Sequence, residues 1–212
     1  MSGLPAFDLE AWLAAAPASP PIVQAGDPVL RRGAEAVPSS LFGTVALAQL
    51  VSAMVDVMRA APGVGLAAPQ IGVPLRVFVA EDSEDRLAHL PADVLAVRGR
   101  TPLPLMALIN PTVVAVSEEH ATFFEGCLSV RGYGALVRRA ASVDVAGADV
   151  NGSPISLRLH GWPARIVQHE FDHLDGTLYV DRMIPRSLSC DAELARWGGR
   201  PVSDVFRELV DR

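Results

Sequence analysis

Residues 169–173 read His-Glu-Phe-Asp-His. A helix through this stretch puts His169 and His173 at i and i+4, one above the other on a single face, where both can grip one metal ion. Glu170 stands one residue after the first histidine, within reach of a water held by such an ion. This is the H-E-x-x-H pattern, whose Glu serves as general base in metal-assisted hydrolysis. The pattern fixes only three positions, and a solvated helix with two spectator histidines would read the same way. The flanks favour a helix. Pro163 suits a first turn, where its missing N–H costs nothing. Val167, Phe171 and Leu174 recur at i, i+4 and i+7, and Gly176 follows as a stop. The spacing predicts a helix over 163–174.

A catalytic site of this kind needs three protein ligands and one open position. The metzincin pattern fails at the third ligand, because Tyr179 stands where its last histidine belongs. A thermolysin-like metallopeptidase would draw a Glu from a later helix, which keeps Glu193 open. Cys127, in Glu125-Gly126-Cys127-Leu128-Ser129, offers a thiolate, a strong ligand that a metal keeps deprotonated. A free cysteine is otherwise a small buried hydrophobe. On the residues alone Cys127 stands modestly ahead of Glu193.

A third stretch, Gly63-Val64-Gly65-Leu66-Ala67-Ala68-Pro69-Gln70, is a run of small residues ending in an amide, and its glycines permit close backbone approach. Taken together in this order, G-V-G-L-A-A-P-Q, E-G-C-L-S and Q-H-E-F-D-H resemble the three signature motifs of peptide deformylases. The resemblance extends more weakly from Ile22-Val23-Gln24-Ala25-Gly26-Asp27-Pro28-Val29-Leu30 to about Pro185. Gly161-Trp162-Pro163-Ala164-Arg165-Ile166 and Leu178-Tyr179-Val180-Asp181-Arg182-Met183 look like the mitochondrial and plant-organelle branch more than the commonest bacterial one.

The resemblance implies that Cys127, His169 and His173 hold one divalent metal, Fe(II) natively, with zinc, nickel or cobalt able to take its place. It implies that Glu170 is the general base, and that Gln70 and the Leu128 backbone N–H stabilise the oxyanion formed from the formyl group of an N-formylmethionyl peptide. Formate and a free amine would be the products. The peptide would add as a strand along Gly63-Val64-Gly65, and Val64, Phe123, Glu125, Trp162, Arg165 and Ile166 match the lining or rim of the methionine pocket. Glu125 is also expected to pair with Arg139 and steady the Cys127 loop. Members that bind without turnover form a further alternative.

The chain departs from the pattern in places. Ser129-Val130-Arg131-Gly132 replaces the commoner Ser-Ile/Val-Pro. Gly134 falls where many members carry a substrate-contacting Arg, so that contact is lost or supplied elsewhere. Trp162 and Arg165 stand where aliphatic residues are common, which predicts a narrower or more polar pocket.

With 212 residues, half of them hydrophobic, the chain can bury one sizeable core. A net charge of −6 argues against nucleic acid as the main partner. Every basic residue is arginine. Two cysteines do not suggest a disulfide framework, and a reducing compartment is the simpler reading. Asp8 and Glu10 before Ala11–Ala16 fit neither a signal peptide nor a mitochondrial presequence. No apolar run is long enough for a membrane span. The expected location is the cytoplasm, and the expected partners are formylated nascent peptides, with ribosome contact at most transient. The segment 191–212 holds five acids against four arginines, net −1, a poor charge for ribosomal docking. The state expected is monomer or homodimer.

The fold class expected is α+β, with short, mostly antiparallel sheets around the metal-binding helix. The chain divides into an N-terminal extension (1–21), a metal-dependent domain (22–188) and a C-terminal helical segment (189–212). A short helix (7–16) precedes a proline linker. Residues 44–59 read as an amphipathic helix through Leu47, Leu50, Val51, Met54, Val55 and Met58. Leu75–Ala80 and Leu105–Asn110 read as strands, and 81–104 as a loop or insertion. His89 and His120 are expected in solvent. Residues 142–148 and 154–160 form a hairpin around Asn151-Gly152. Residues 191–210 form one or two short helices broken at Gly198-Gly199-Arg200-Pro201.

Overall fold

The computed structural model describes residues 7–197 and 200–211. Two antiparallel sheets flank a central helix. Strands β1 (Gly65–Ala67), β2 (Val77–Asp82), β3 (Leu103–Val116), β6 (Ser142–Ala148) and β7 (Pro154–His160) form one sheet in the order β1-β2-β3-β6-β7. Strands β4 (His120–Cys127), β5 (Val130–Ala140) and β8 (Ser189–Cys190) form the other, in the order β4-β5-β8. The helix between them is α5, Gly161–Leu174.

The five-stranded sheet is covered on both faces at β2, whose residues Val77–Ala80 are apolar and buried. Val77 and Val79 turn to one face and join the core under α2 (Val45–Ala60), while Phe78 and Ala80 turn to the other and pack under α5. Successive strand residues point to opposite sides, so a sheet covered twice needs an apolar residue at each position. Helix α2 forms as its periodicity predicts. The Thr44 side chain accepts from the Leu47 N–H at 3.3 Å and caps the first turn, and Leu47, Leu50, Met54, Val55 and Met58 are buried. Helix α1 (Leu9–Ala15) lies against α2 through Leu9, with Phe7, Trp12 and Leu13 beside it.

The segment expected to be a loop between the first two long strands is largely helical. Ser83 caps α3 (Glu84–Leu87), and α4 (Ala92–Arg98) ends at Gly99 in the left-handed region. Both helices are too short to display an apolar period, so their caps are the only local signal. The expected strand at 75–80 is displaced to Val77–Asp82, and the one at 105–110 extends to Leu103–Val116. The hairpin of β6 and β7 forms in the register expected, with Ala148 opposite Pro154 and Ser142 opposite His160. His89 and His120 are exposed. Past α6 (Tyr179–Arg182), the C-terminal segment gives α7 (Asp191–Trp197), α8 (Val202–Val205) and a wider turn, Phe206–Val210. Gly198 and Gly199, expected at the break, lie outside the described residues. So do residues 1–6 of the N-terminal extension.

Candidate active site

Helix α5 begins at Gly161, two residues before the expected start; it turns Glu170 toward β1, and His169 and His173 toward the β4–β5 sheet. Cys127 comes from that sheet. It ends β4 where the register shifts, and it sits opposite Val130 across a tight turn. The turn brings the thiol to α5. Its Sγ lies 3.3 Å from His173 Nε2, and the donor atoms of Cys127, His169 and His173 all fall within 4.8 Å of one another. No other group of three His, Cys, Asp or Glu side chains among the described residues is placed to hold a metal ion. Glu193 is not part of it. Its side chain is 54% exposed on α7 and faces Arg196 at 3.6 Å.

This donor set suits a divalent ion. One thiol and two imidazoles make three ligands of the kind zinc and the late first-row metals take, leaving a fourth position open. The two histidines are held differently. His169 Nδ1 is 3.0 Å from Glu125 Oε2, which orients the ring and leaves its other nitrogen for the cluster. Burial works against charge on His169, but its bonds with Cys127 and Glu125 outweigh it and raise its pKa well above the ordinary value. Burial lowers His173 well below that value, so its imidazole is neutral and its lone pair is free to bind. Tyr179, at the position where a metzincin histidine would stand, instead stacks on His169 with ring centroids 6.3 Å apart. Its hydroxyl donates to the Tyr133 carbonyl at 3.0 Å.

Glu170 is buried, and its Oε2 has no hydrogen-bond partner. Burial pushes its pKa up to about 7. The carboxyl lies against β1 so tightly that a Cβ on Gly65 would sit 2.2 Å from Glu170 Oε1. Gln70 is 2% exposed. Its Oε1 accepts from the Ala67 N–H at 2.8 Å, and its Nε2 donates to Ser129 Oγ at 3.2 Å with Cys127 Sγ 3.6 Å away. The amide therefore turns its donor end to the metal-ligand cluster. The Ser129 N–H also points at Cys127 Sγ, at 3.4 Å.

These groups open onto one cavity of about 400 Å³. Gly63, Val64, Gly65, Gln70, Glu125, Cys127, Leu128, Trp162, Arg165, Ile166, His169 and Glu170 line it, as expected. His173 lies behind them. Phe123 does not line this cavity. It packs edge-on against Trp162, 6.1 Å between centroids, and faces a neighbouring cavity instead. Its ring is covered by Arg165, whose guanidinium lies 5.3 Å from the Phe123 centroid. Two lining residues are committed elsewhere. Glu125 receives Arg139 in a bidentate pair, at 2.9 and 2.8 Å, as well as Arg165 and His169. Arg165 donates to Glu125 and to the Val137 and Ala121 carbonyls. Its charge is paired within this buried network. Burial raises the Glu125 carboxyl, but Arg139 and His169 outweigh it and hold the pKa well below the usual carboxylate range.

The backbone edge is also narrower than expected. Arg86 donates to the Gly63 carbonyl at 2.8 Å, and the Glu81 N–H takes the Val64 carbonyl at 3.0 Å. Residues along a strand turn their backbone groups alternately to the two edges, which leaves Gly65 as the position facing the cavity.

Several neighbours carried no signal in the sequence. Arg100, bound to the fully buried Asp82 at 2.7 and 3.0 Å, lines the cavity with Tyr133 and Asp191. Arg98, Arg100 and Arg165 surround the Trp162 ring at 5.0, 5.4 and 5.8 Å. The Gly134 departure has a spatial cause: a Cβ there would lie 2.8 Å from both the Glu125 carbonyl and a methyl of Leu194 on α7.

A sequence model of the polypeptide deformylase family matches residues 19–188. The chain belongs to the polypeptide deformylase family. Its relatives include Peptide deformylase 3 of Streptomyces avermitilis, 54% identical over 178 residues that span 84% of this chain and 77% of that one. The chloroplastic Peptide deformylase 1A of Solanum lycopersicum is 49% identical over 171 residues, 81% of this chain and 62% of the relative's length. This chain thus spans less than two thirds of the tomato deformylase. A bacterial deformylase is thus at least as similar to this chain as a plant-organelle one. The crystal structure of a class I type b peptide deformylase from Acinetobacter baumannii bound to Met-Ala-Ser superposes with a TM-score of 0.69 at 32% identity, covering 78% of this chain and 98% of that one. The α+β architecture is that of the deformylases.

Proposed function

We propose that this chain hydrolyses the formyl group from the N-terminal formylmethionine of new polypeptides and releases formate. The observation that carries this reading is the Cys127–His169–His173 cluster with the buried carboxyl of Glu170 beside it on the floor of one cavity. Membership of the deformylase family supports it, as does the Met-Ala-Ser held by the Acinetobacter relative.

In this reading Cys127, His169 and His173 hold a divalent ion, Fe(II) natively. Such an ion, when bound, supplies Lewis acidity and lowers the pKa of water. Glu170 takes the proton of the attacking water and passes it to the leaving amine. Its value of about 7 suits both transfers near neutrality. The Gln70 Nε2–H and the Leu128 N–H stabilise the charge that develops on the formyl oxygen. Gln70 is suited to this because its oxygen is already taken by Ala67, so only the donor end can face the site. Val64, Leu128, Trp162 and Ile166 offer an apolar recess for the methionine side chain, and Gly65 pairs with the peptide backbone.

The test is formate release from formyl-Met-Ala-Ser by protein prepared anaerobically with Fe(II), beside Glu170→Gln. The wild type should turn over. The variant should keep one metal per chain and lose about 10²–10⁴-fold in kcat. Metal-loaded wild type that releases no formate would overturn the reading. It would favour a relative that binds without turnover. A thermolysin-like peptidase finds no support, because Glu193 points to solvent on another element.

A further inference from the structure

The segment Ile22–Ala25 crosses behind the site and ties its two sides together. The Val23 N–H donates to the Gln70 carbonyl at 2.9 Å, and the Ala25 N–H donates to the Ser129 carbonyl at 2.7 Å. Between them, Gln24 Nε2 donates to the Leu128 carbonyl at 3.1 Å and to the Ile22 carbonyl, also at 3.1 Å. Gln70 and Leu128 come from loops 58 residues apart (128 − 70). Side-chain contact from Gln70 to Ser129 gives one direct link, and this strap gives three more.

We propose that Gln24 is a positioning residue for the oxyanion donors. It acts through Leu128 and does not touch the substrate. Holding the Leu128 carbonyl fixes the Leu128–Ser129 peptide plane, and the Leu128 N–H, one plane earlier, is restrained through the φ and ψ of Leu128. Donors aimed at a developing charge act only while they stay aligned, and a misplacement of about 1 Å costs about 10²-fold in rate. Gln24 supplies what the turn itself lacks. Cys127–Val130 is short, and its register is already shifted at Cys127, so its peptide planes need an external anchor. The side chain is partly buried and all three of its donated bonds, to Ile22, Val23 and Leu128, go to carbonyls, which suits an amide and not a carboxylate.

This inference rests on the deformylase reading. The experiment compares wild type, Gln24→Met and Gln24→Glu, each loaded with Co(II), on formyl-Met-Ala-Ser, with kcat expressed per bound metal. Methionine keeps length and volume without a donor. Glutamate puts an acceptor against the Leu128 carbonyl. Both variants should lose about tenfold to a hundredfold in kcat, with KM changed less than twofold. The thiolate-to-Co(II) absorption band and one metal per chain should remain. A kcat per bound metal within twofold of wild type for Gln24→Met would overturn the proposal. So would a loss confined to metal content or thermal stability, which marks a purely structural role. Wild type that releases no formate sinks the deformylase reading and takes the strap proposal with it, a result separate from either outcome for the variants.

Discussion

At the scale of single residues, identity of the third ligand decides between chemistries that the helix motif alone leaves open. Cys127 Sγ lies 3.3 Å from His173 Nε2, while Glu193 is on an exposed face of α7 with only Arg196 near it. Cys127→Ser replaces a thiolate with a weak hydroxyl ligand, so metal content after dialysis should fall well below one per chain. Glu193→Ala should retain the ion fully. The opposite pattern, measured by elemental analysis of both proteins, would return the site to the thermolysin-like arrangement. The two histidines also differ by environment. Glu125 anchors His169, whereas His173 depends on burial to stay neutral.

At the scale of elements, the site exists because β1 and α5 approach until only a glycine fits between them. A methyl group at position 65 would lie 2.2 Å from Glu170 Oε1 and 2.6 Å from its carboxyl carbon. The obstruction is the far end of a flexible side chain, so the fold can absorb it by turning Glu170 aside. Gly65→Ala should therefore keep its metal and a near-normal melting temperature while kcat falls about 10²-fold through the displaced base. A variant with unaltered kcat would show that the carboxyl acts from another rotamer. A second close approach shapes the site mouth. Leu194 on α7 fills the space over Gly134, so the C-terminal segment, through Asp191, becomes part of the cavity wall.

At the scale of the whole molecule, the three-stranded sheet is tied to α5 and α6 by a buried ionic network. Arg139 on β5 bridges Glu125 on β4 and Asp172 on α5, Arg165 on α5 reaches back to Glu125, and Arg182 on α6 adds a bond to Asp172 at 2.7 Å. Burial disfavours the Arg139 charge, and Glu125 and then Asp172 outweigh it. Removing one member leaves buried charge unpaired, so Arg139→Met should cost about 3–5 kcal/mol in denaturant unfolding. The pH dependence follows in sign. The folded Glu125 pKa is depressed, so its stabilisation is present above the unfolded value of about 4.3 and is lost as pH falls toward the folded value. Arg139→Met should narrow that gap and lose less stability between pH 5 and 3, by about 1 kcal/mol or more, than wild type does. Equal acid sensitivity of the two proteins would remove Glu125 as the source.

Features carried by local spacing were readable before any folding was known. The i, i+4 histidines, the apolar stripe of α5, the face of α2 and the Asn151-Gly152 hairpin each lie within one helix or turn, where periodicity and capping speak directly. The three motifs and the Glu125–Arg139 pair were legible through resemblance. Helices α3 and α4 were not, because four and seven residues show no period. Nor were the partners of Arg165 and Asp172, the exclusion of Phe123 from the cavity, or the grip of Gln24 on Leu128. Those are pairings between residues 10 to 104 positions apart. Chain-distant contacts depend on how sheets and helices stack, and only the tertiary structure chooses which arginine meets which carboxylate.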